Sequence, residues 1–154
     1  MAAPPSITPR LEITLRRATA ADAPAITILS EELGYPLAED VVRSRMAHLA
    51  VLPEHAIIVA ELEATVCGWV HVHAHRSLVS GERADVFGLV VSRDVRRRGI
   101  GRILMAEAER WARDRGLDLM VLRSNVQRPE SHAFYPAIGY EQFRTQAVYR
   151  KLLS

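Results

Sequence analysis

One stretch, Val90-Val91-Ser92-Arg93-Asp94-Val95-Arg96-Arg97-Arg98-Gly99-Ile100-Gly101-Arg102, constrains this chain more than any other. An apolar strand runs into a basic turn, a Gly-x-Gly pair follows, and an amphipathic helix begins at once. Ile100, Ile103, Leu104, Ala108, Trp111 and Ala112 recur there at helical spacing. The first backbone N–H groups of a helix lack partners, and the helix dipole makes that end attractive to anions. Glycine removes the Cβ that would block a phosphate, and arginine adds bidentate, charge-assisted bonds. Cations at a helix N-terminus are unfavourable by roughly 0.3–1 kcal/mol each. The cluster Arg93, Arg96, Arg97, Arg98 and Arg102 therefore makes most sense around a multiply charged anion. Composition alone leaves a second reading open, a solvated basic turn in contact with nucleic acid. The Gly-Lys-Ser/Thr ending of a nucleoside-triphosphate loop is missing.

The rest of the pattern predicts a mixed α/β fold. Leu11 to Arg17 alternate as a half-buried strand does. Thr19 or Asp22 can cap a helix with Pro24 in its first turn and Ile26, Leu29 and Leu33 on one face, ended by Gly34. Ala38 to Leu49 reads as a second helix. Ala56–Leu62, Val66–His75 and Ala84–Ser92 read as an antiparallel meander with turns at Glu63-Ala64 and Ser80-Gly81. After the central helix, capped at Gly116, Leu117 to Leu122 is a strand. Pro129 opens a short helix that Gly139 closes, and Tyr140 to Leu152 supplies a final strand or hairpin.

Length and composition bound the function. At 154 residues, half hydrophobic and a quarter charged, the chain suits one globular domain, residues 11–154, behind a loose, proline-bearing arm, residues 1–10. Such a chain buries roughly two-thirds of its unfolded surface and needs no staple. The lone Cys67 cannot form an internal disulfide, fits a reducing cytoplasm and excludes a cysteine-coordinated zinc. No apolar run approaches the ~20 residues that span a bilayer. A net charge of +2 argues against a general polyanion binder, so neither nucleic acid nor membrane is expected as a partner.

The run Arg96-Arg97-Arg98-Gly99-Ile100-Gly101 resembles the Arg/Gln-x-x-Gly-x-Gly/Ala motif of the GNAT superfamily of acyl-CoA-dependent N-acetyltransferases. Leu89-Val90-Val91 is similar to that family's fourth strand. Ser131-His132-Ala133-Phe134-Tyr135 followed by Gly139-Tyr140 resembles its second landmark, and Arg16-Arg17-Ala18-Thr19 with Asp22 its usual start. The resemblance covers residues 11 to 152. It implies a splayed central sheet flanked by helices, with acetyl-CoA wedged where the fourth and fifth strands part. The pyrophosphate would lie on the amides of Arg97 through Arg102, among the side chains of Arg96, Arg97, Arg98 and Arg102. The pantetheine would pair with the backbone at Leu89, Val90 and Val91, and an amide there would polarise the thioester carbonyl. The implied activity is acetyl transfer to a primary amine of a small molecule or peptide, by direct attack in a ternary complex. A non-catalytic acyl-CoA-binding or sensory module on the same fold is the alternative. Folds of this type often pair through C-terminal strands, which leaves a homodimer open.

Transfer also needs proton handling. Tyr135 matches the family tyrosine that reaches toward the CoA sulfur, although Pro136 disfavours helical geometry at its position; otherwise it is a core aromatic beside Phe134. Asp85 is the leading base, four residues before Leu89 and expected on the same strand face; otherwise it is a solvated edge carboxylate. Where other members carry a glutamate two residues later, this chain has Phe87. Asn125, Ser124 and His132 are candidates for cofactor contact, since Arg128 stands where an asparagine is usual. His71, His73 and His75 share one face and can relay protons or bind a metal, but read more simply as a polar outer face, so no metal is expected. The acceptor pocket is expected among Glu31, Glu32, Tyr35 and Phe87.

Overall fold

The computed structural model describes residues 1–4 and 12–154. Leu11, the start of the expected first strand, and residues 5–10 of the expected arm lie outside them. The chain divides into two compact units, Met1–Arg123 and Ser124–Ser154, each described by itself.

The first unit is built on a five-stranded mixed sheet in the order β1-β2-β3-β4-β5. The strands are β1 (Ile13–Arg17), β2 (His55–Leu62), β3 (Thr65–Ser77), β4 (Gly81–Val91) and β5 (Met120–Leu122). The first four are antiparallel neighbours, and β5 runs parallel to β4. The turn Glu63-Ala64 has both residues at positive φ, 50° and 62°, a twist that suits a tight hairpin.

Helices α1 (Ala23–Leu33) and α2 (Glu39–Ala50) cover one face of the sheet. Ala23, Ile26, Val42, Met46 and Val59 form a buried cluster there, with Ile57 and Trp69 packed against it. Before α1, the backbone N–H of Thr19 donates to the Asp22 carboxylate at 2.7 Å. Arg16 clamps the same carboxylate at 2.7 and 2.8 Å and reaches Glu61 on β2, tying the helix start to the sheet edge. Gly34 ends α1 in the left-handed conformation, as expected of a C-terminal glycine. Helix α3 (Ile100–Arg113) lies on the opposite face, where Leu104 approaches Gly68 so closely that a Cβ there would sit 3.1 Å from it. Ile100, Leu104, Met105, Ala108 and Trp111 are the buried stripe of α3.

In the second unit, α4 (Pro129–Ala137) is the one regular element among the described residues. It runs straight through Pro136, contrary to the expectation that proline would disturb Tyr135. Pro136 stands in the last turn: it forfeits the one bond that an N–H there would have made to the His132 carbonyl, and only Ala137 follows it in the helix. The expected final strand over Tyr140–Leu152 is absent: residues 140–154 form neither helix nor strand. Phe143, Val148, Tyr149, Leu152 and Leu153 are exposed there. A strand needs a neighbour to take its N–H and C=O groups, and this segment has none within its unit. The fifth strand is also shorter than expected, three residues instead of the whole of Leu117–Leu122.

Candidate active site

The site begins where β4 and β5 part. Their pairing covers only Ala84↔Met120, Asp85↔Val121 and Val86↔Leu122. From Phe87 to Val91, β4 continues with no β5 partner, so its edge offers backbone groups along Leu89, Val90 and Val91.

Beyond β4 the chain makes a 3-10 turn (Arg93–Val95), with the Ser92 Oγ accepting from the Asp94 N–H. The backbone then alternates in hand: Arg96 is extended, Arg97 has φ 64° and Gly99 has φ 79°. Such alternation turns successive N–H groups toward a common centre, the geometry of an anion nest. Gly99 is the N-cap of α3 and supplies no side-chain cap, and no acid stands in the first turn. The amides of the first turn are therefore left without the partners that caps provide. A Cβ built on Gly99 meets nothing within 4 Å, so the space in front of these amides is open. Arg96 Nε donates to the Val91 carbonyl at 3.1 Å, bracing the turn on the end of β4. Arg97, Arg98 and Arg102 are exposed around it. These residues fit a diphosphate.

Helix α1 reaches this end of the sheet: the Glu32 carboxylate accepts from the Arg93 N–H at 2.9 Å. Glu32 thus secures the basic turn, while Glu31 and Tyr35 are exposed.

Asp85 sits differently from the expectation. A β-bulge opposite His71/Val72 gives β4 one extra residue, Phe87, so Asp85 pairs with His73 and Leu89 with Val70. The extra residue resets the alternation, and Asp85 and Leu89 face opposite sides of the sheet. Asp85 is 2% exposed. It accepts from Arg83 Nε at 2.7 Å and Nη2 at 3.4 Å, and Arg123 lies 3.6 Å and His75 3.9 Å from its other oxygen. It is neither a solvated edge carboxylate nor an unengaged one. Sequence reasoning missed Arg83, although the Arg-x-Asp spacing on one strand places both side chains on the same face.

His71 and His73 do share a face, as expected, but it is the helix-covered face and not an outer one. His55, which no sequence pattern singled out, joins them: its Nδ1 lies 3.0 Å from His71 Nε2. Burial, with His55 and His73 beside it, pushes His71 down to about 4. Burial likewise lowers His55. Among the described residues no group of three His, Cys, Asp or Glu is arranged to hold a metal.

In the second unit, Tyr135 packs edge-on against Phe134 and Tyr140, and burial raises its phenol above the ordinary value. His132 Nε2 lies 3.0 Å from the Val126 carbonyl, and Asn125 Oδ1 accepts from the Gln127 N–H at 2.9 Å. Both side chains thus shape the loop leading into α4.

Comparison with known proteins agrees with this geometry. The chain is 27% identical over 141 residues to an aminoglycoside N(6')-acetyltransferase type 1 of Stenotrophomonas maltophilia, across 89% of this chain and 92% of the relative. It is 30% identical over 133 residues to an aminoalkylphosphonate N-acetyltransferase of Salmonella typhimurium, across 83% and 84%. The fold matches that of the aminoglycoside N-acetyltransferase AAC(6')-Iy in complex with CoA, with a TM-score of 0.84 at 19% identity over 94% of this chain and 99% of that one. Residues 24–140 match the model of the acetyltransferase (GNAT) family, and the chain belongs to that family.

Proposed function

We propose that this family member moves an acetyl group from acetyl-CoA to the primary amine of a small molecule or peptide, by direct attack in a ternary complex. The observation that carries the reading is the uncapped start of α3, with backbone of alternating hand at Arg97 and Gly99 beside the free edge of β4. In this reading the amides from Arg97 to Arg102, including those of Gly99, Ile100 and Gly101, hold the diphosphate. The guanidinium groups of Arg96, Arg97, Arg98 and Arg102 neutralise it. Leu89, Val90 and Val91 pair with the pantetheine, and one of their amides steadies the negative charge that builds on the acetyl oxygen. Asn125 and His132 add contacts to the cofactor.

Tyr135 supplies the proton to the departing sulfur. Its raised pKa keeps the phenol protonated at neutral pH, the form an acid requires. Asp85 takes the proton from the amine by way of water, because Arg83 already occupies its oxygens and the bulge turns it from Leu89. That same ion pair favours the alternative, a non-catalytic acyl-CoA-binding module, since Arg83 and Arg123 already engage the carboxylate. We further assign residues 11–154 to one acetyltransferase domain, supported by a family match that spans both units. A cytoplasmic setting is supported by the single, buried Cys67. A homodimer through residues 140–154 is supported by their exposed apolar side chains.

Calorimetry with acetyl-CoA and thiol release with a panel of amines test the reading. Binding with turnover supports transfer. Binding without turnover by any amine supports the module, and no binding at millimolar ligand removes both.

A further inference from the structure

The face of the sheet under α1 and α2 carries a group of rings that acetyl transfer does not itself require. His73 stacks on His55 with centroids 4.3 Å apart and on Phe87 at 5.1 Å and 19° between planes. His71 meets Phe87 edge-on at 5.2 Å. The bulge delivers Phe87 to this group, and bulges commonly re-aim a side chain next to an active site. Phe87 nevertheless remains 54% exposed, so much of its ring is open. Trp69 lies on the same face over Gly88, where a Cβ would come within 2.7 Å of its ring. The buried Nδ1 of His73 and Nε1 of Trp69 have no hydrogen-bond partner among the described residues, and buried polar atoms in native structures are seldom left without a protein, water or ligand partner.

The charges on this face are as informative as the rings. The His55–His71 contact requires one bare ring nitrogen, and both imidazoles are held toward the neutral form. The acid that β4 presents here, Asp85, is matched by Arg83 and flanked by Arg123. Farther along, an open concavity of ≈ 370 Å³ that reaches His55 is bordered by Arg17 and Arg115. Glu54 also acts on His55, yet Arg83, Arg123, Arg17 and Arg115 outweigh Asp85 and Glu54, a positive surplus that disfavours a ligand carrying several ammonium groups.

We propose that Phe87, His73, His55, His71 and Trp69 form the acceptor wall, and that it selects an amine borne on a flat aromatic body with no second cationic group. The inference rests on the reading of Leu89–Val91 as the acetyl-CoA edge, because Phe87 and Gly88 immediately precede that segment on β4. An aromatic acceptor gains a face or edge contact with Phe87, and it brings only the single ammonium whose proton Asp85 takes by way of water.

The test is thiol release by the full chain at saturating acetyl-CoA with three probes: phenethylamine, kanamycin and 2-aminoethylphosphonate. The expected kcat/KM for phenethylamine is at least tenfold above that for either other probe. Phe87→Leu, which keeps the volume and removes the ring, should cut this preference about tenfold through KM, with acetyl-CoA affinity by calorimetry unchanged. Faster turnover of kanamycin or of 2-aminoethylphosphonate overturns the acceptor inference while leaving transfer standing, as does a preference that survives in Phe87→Leu. Binding of acetyl-CoA without turnover of any amine removes transfer and this inference with it.

Discussion

Replacing Gly99 by alanine separates backbone cost from ligand contact. Gly99 has φ 79°, a conformation that costs an L-residue roughly 1–2 kcal/mol. Its added Cβ would meet nothing within 4 Å, so the fold suffers that backbone cost and no clash. Gly116 provides a matched control: φ is 72° and the space around its Cβ is equally open. The two substitutions should therefore destabilise alike, by about 1 kcal/mol, or ~2–4 °C in Tm for a chain of this length. Their effects on acetyl-CoA must differ. Only Gly99 is the N-cap of α3, where the proposed diphosphate would come within hydrogen-bond distance of the first amides. Displacing it by even part of an ångström should weaken binding tenfold or more, equivalent to about 1.4 kcal/mol. Scanning calorimetry reads the first effect and titration calorimetry the second. If Gly99→Ala binds acetyl-CoA as tightly as the wild type, or if Gly116→Ala weakens binding equally, the amide cradle is wrong.

Two further substitutions probe the framework. Gly88→Ala places a Cβ 2.7 Å from the Trp69 ring, and the overpacking should cost about 1–3 kcal/mol in urea unfolding, with an altered tryptophan emission; an unchanged midpoint would mean that the ring yields freely. Asp22→Ala removes the buried acceptor shared by Arg16 and the Thr19 N–H and should cost about 2–3 kcal/mol at neutral pH. Arg16 holds the Asp22 carboxyl below its ordinary 3.8, so the stabilisation is present above that value and lost as pH falls through the lower folded one. The gap between wild type and variant should accordingly shrink toward pH 3, and a constant gap would assign the cost to packing.

The elements legible in the sequence are those whose signals are local. The alternation of Thr65–Ser77, the Gly34 stop after α1 and the apolar stripe of α3 each depend on near neighbours in the chain, and each stands close to where the pattern put it. The Arg96–Gly101 turn was legible for the same reason. The bulge at Phe87 was not, because an extra residue shows itself only against the partner strand; it alone moves Asp85 to the other face. His55 stayed hidden because its partner His71 is brought to it by strand pairing across 16 positions. The final strand or hairpin expected over Tyr140–Leu152 failed on the converse point: a segment able to extend still needs a partner, and the local sequence does not supply one.

Of the three α-helix starts among the described residues of the first unit, those of α1 and α3 bear on what the basic turn is for. Ahead of α1 a 3-10 turn carries a capping box, in which Asp22 reaches back to the Thr19 N–H, Arg16 balances its charge, and Pro24 enters in the first turn of the helix. At α3 the same chain uses none of them. The N-cap is a glycine without a side-chain acceptor, the first turn carries no acid, Arg97 occupies a left-handed conformation that penalises a side chain, and its neighbours are like-charged. No stability argument accounts for this, since a serine cap and an acidic first turn would each strengthen the helix. The proposed diphosphate would account for it: the uncapped amides of Ile100 and Gly101 would donate to it, the open space at Gly99 would admit it, and the arginines would neutralise it. Several local rules broken together at one point, with a cluster of like charges added to them, are what the proposed diphosphate site would explain.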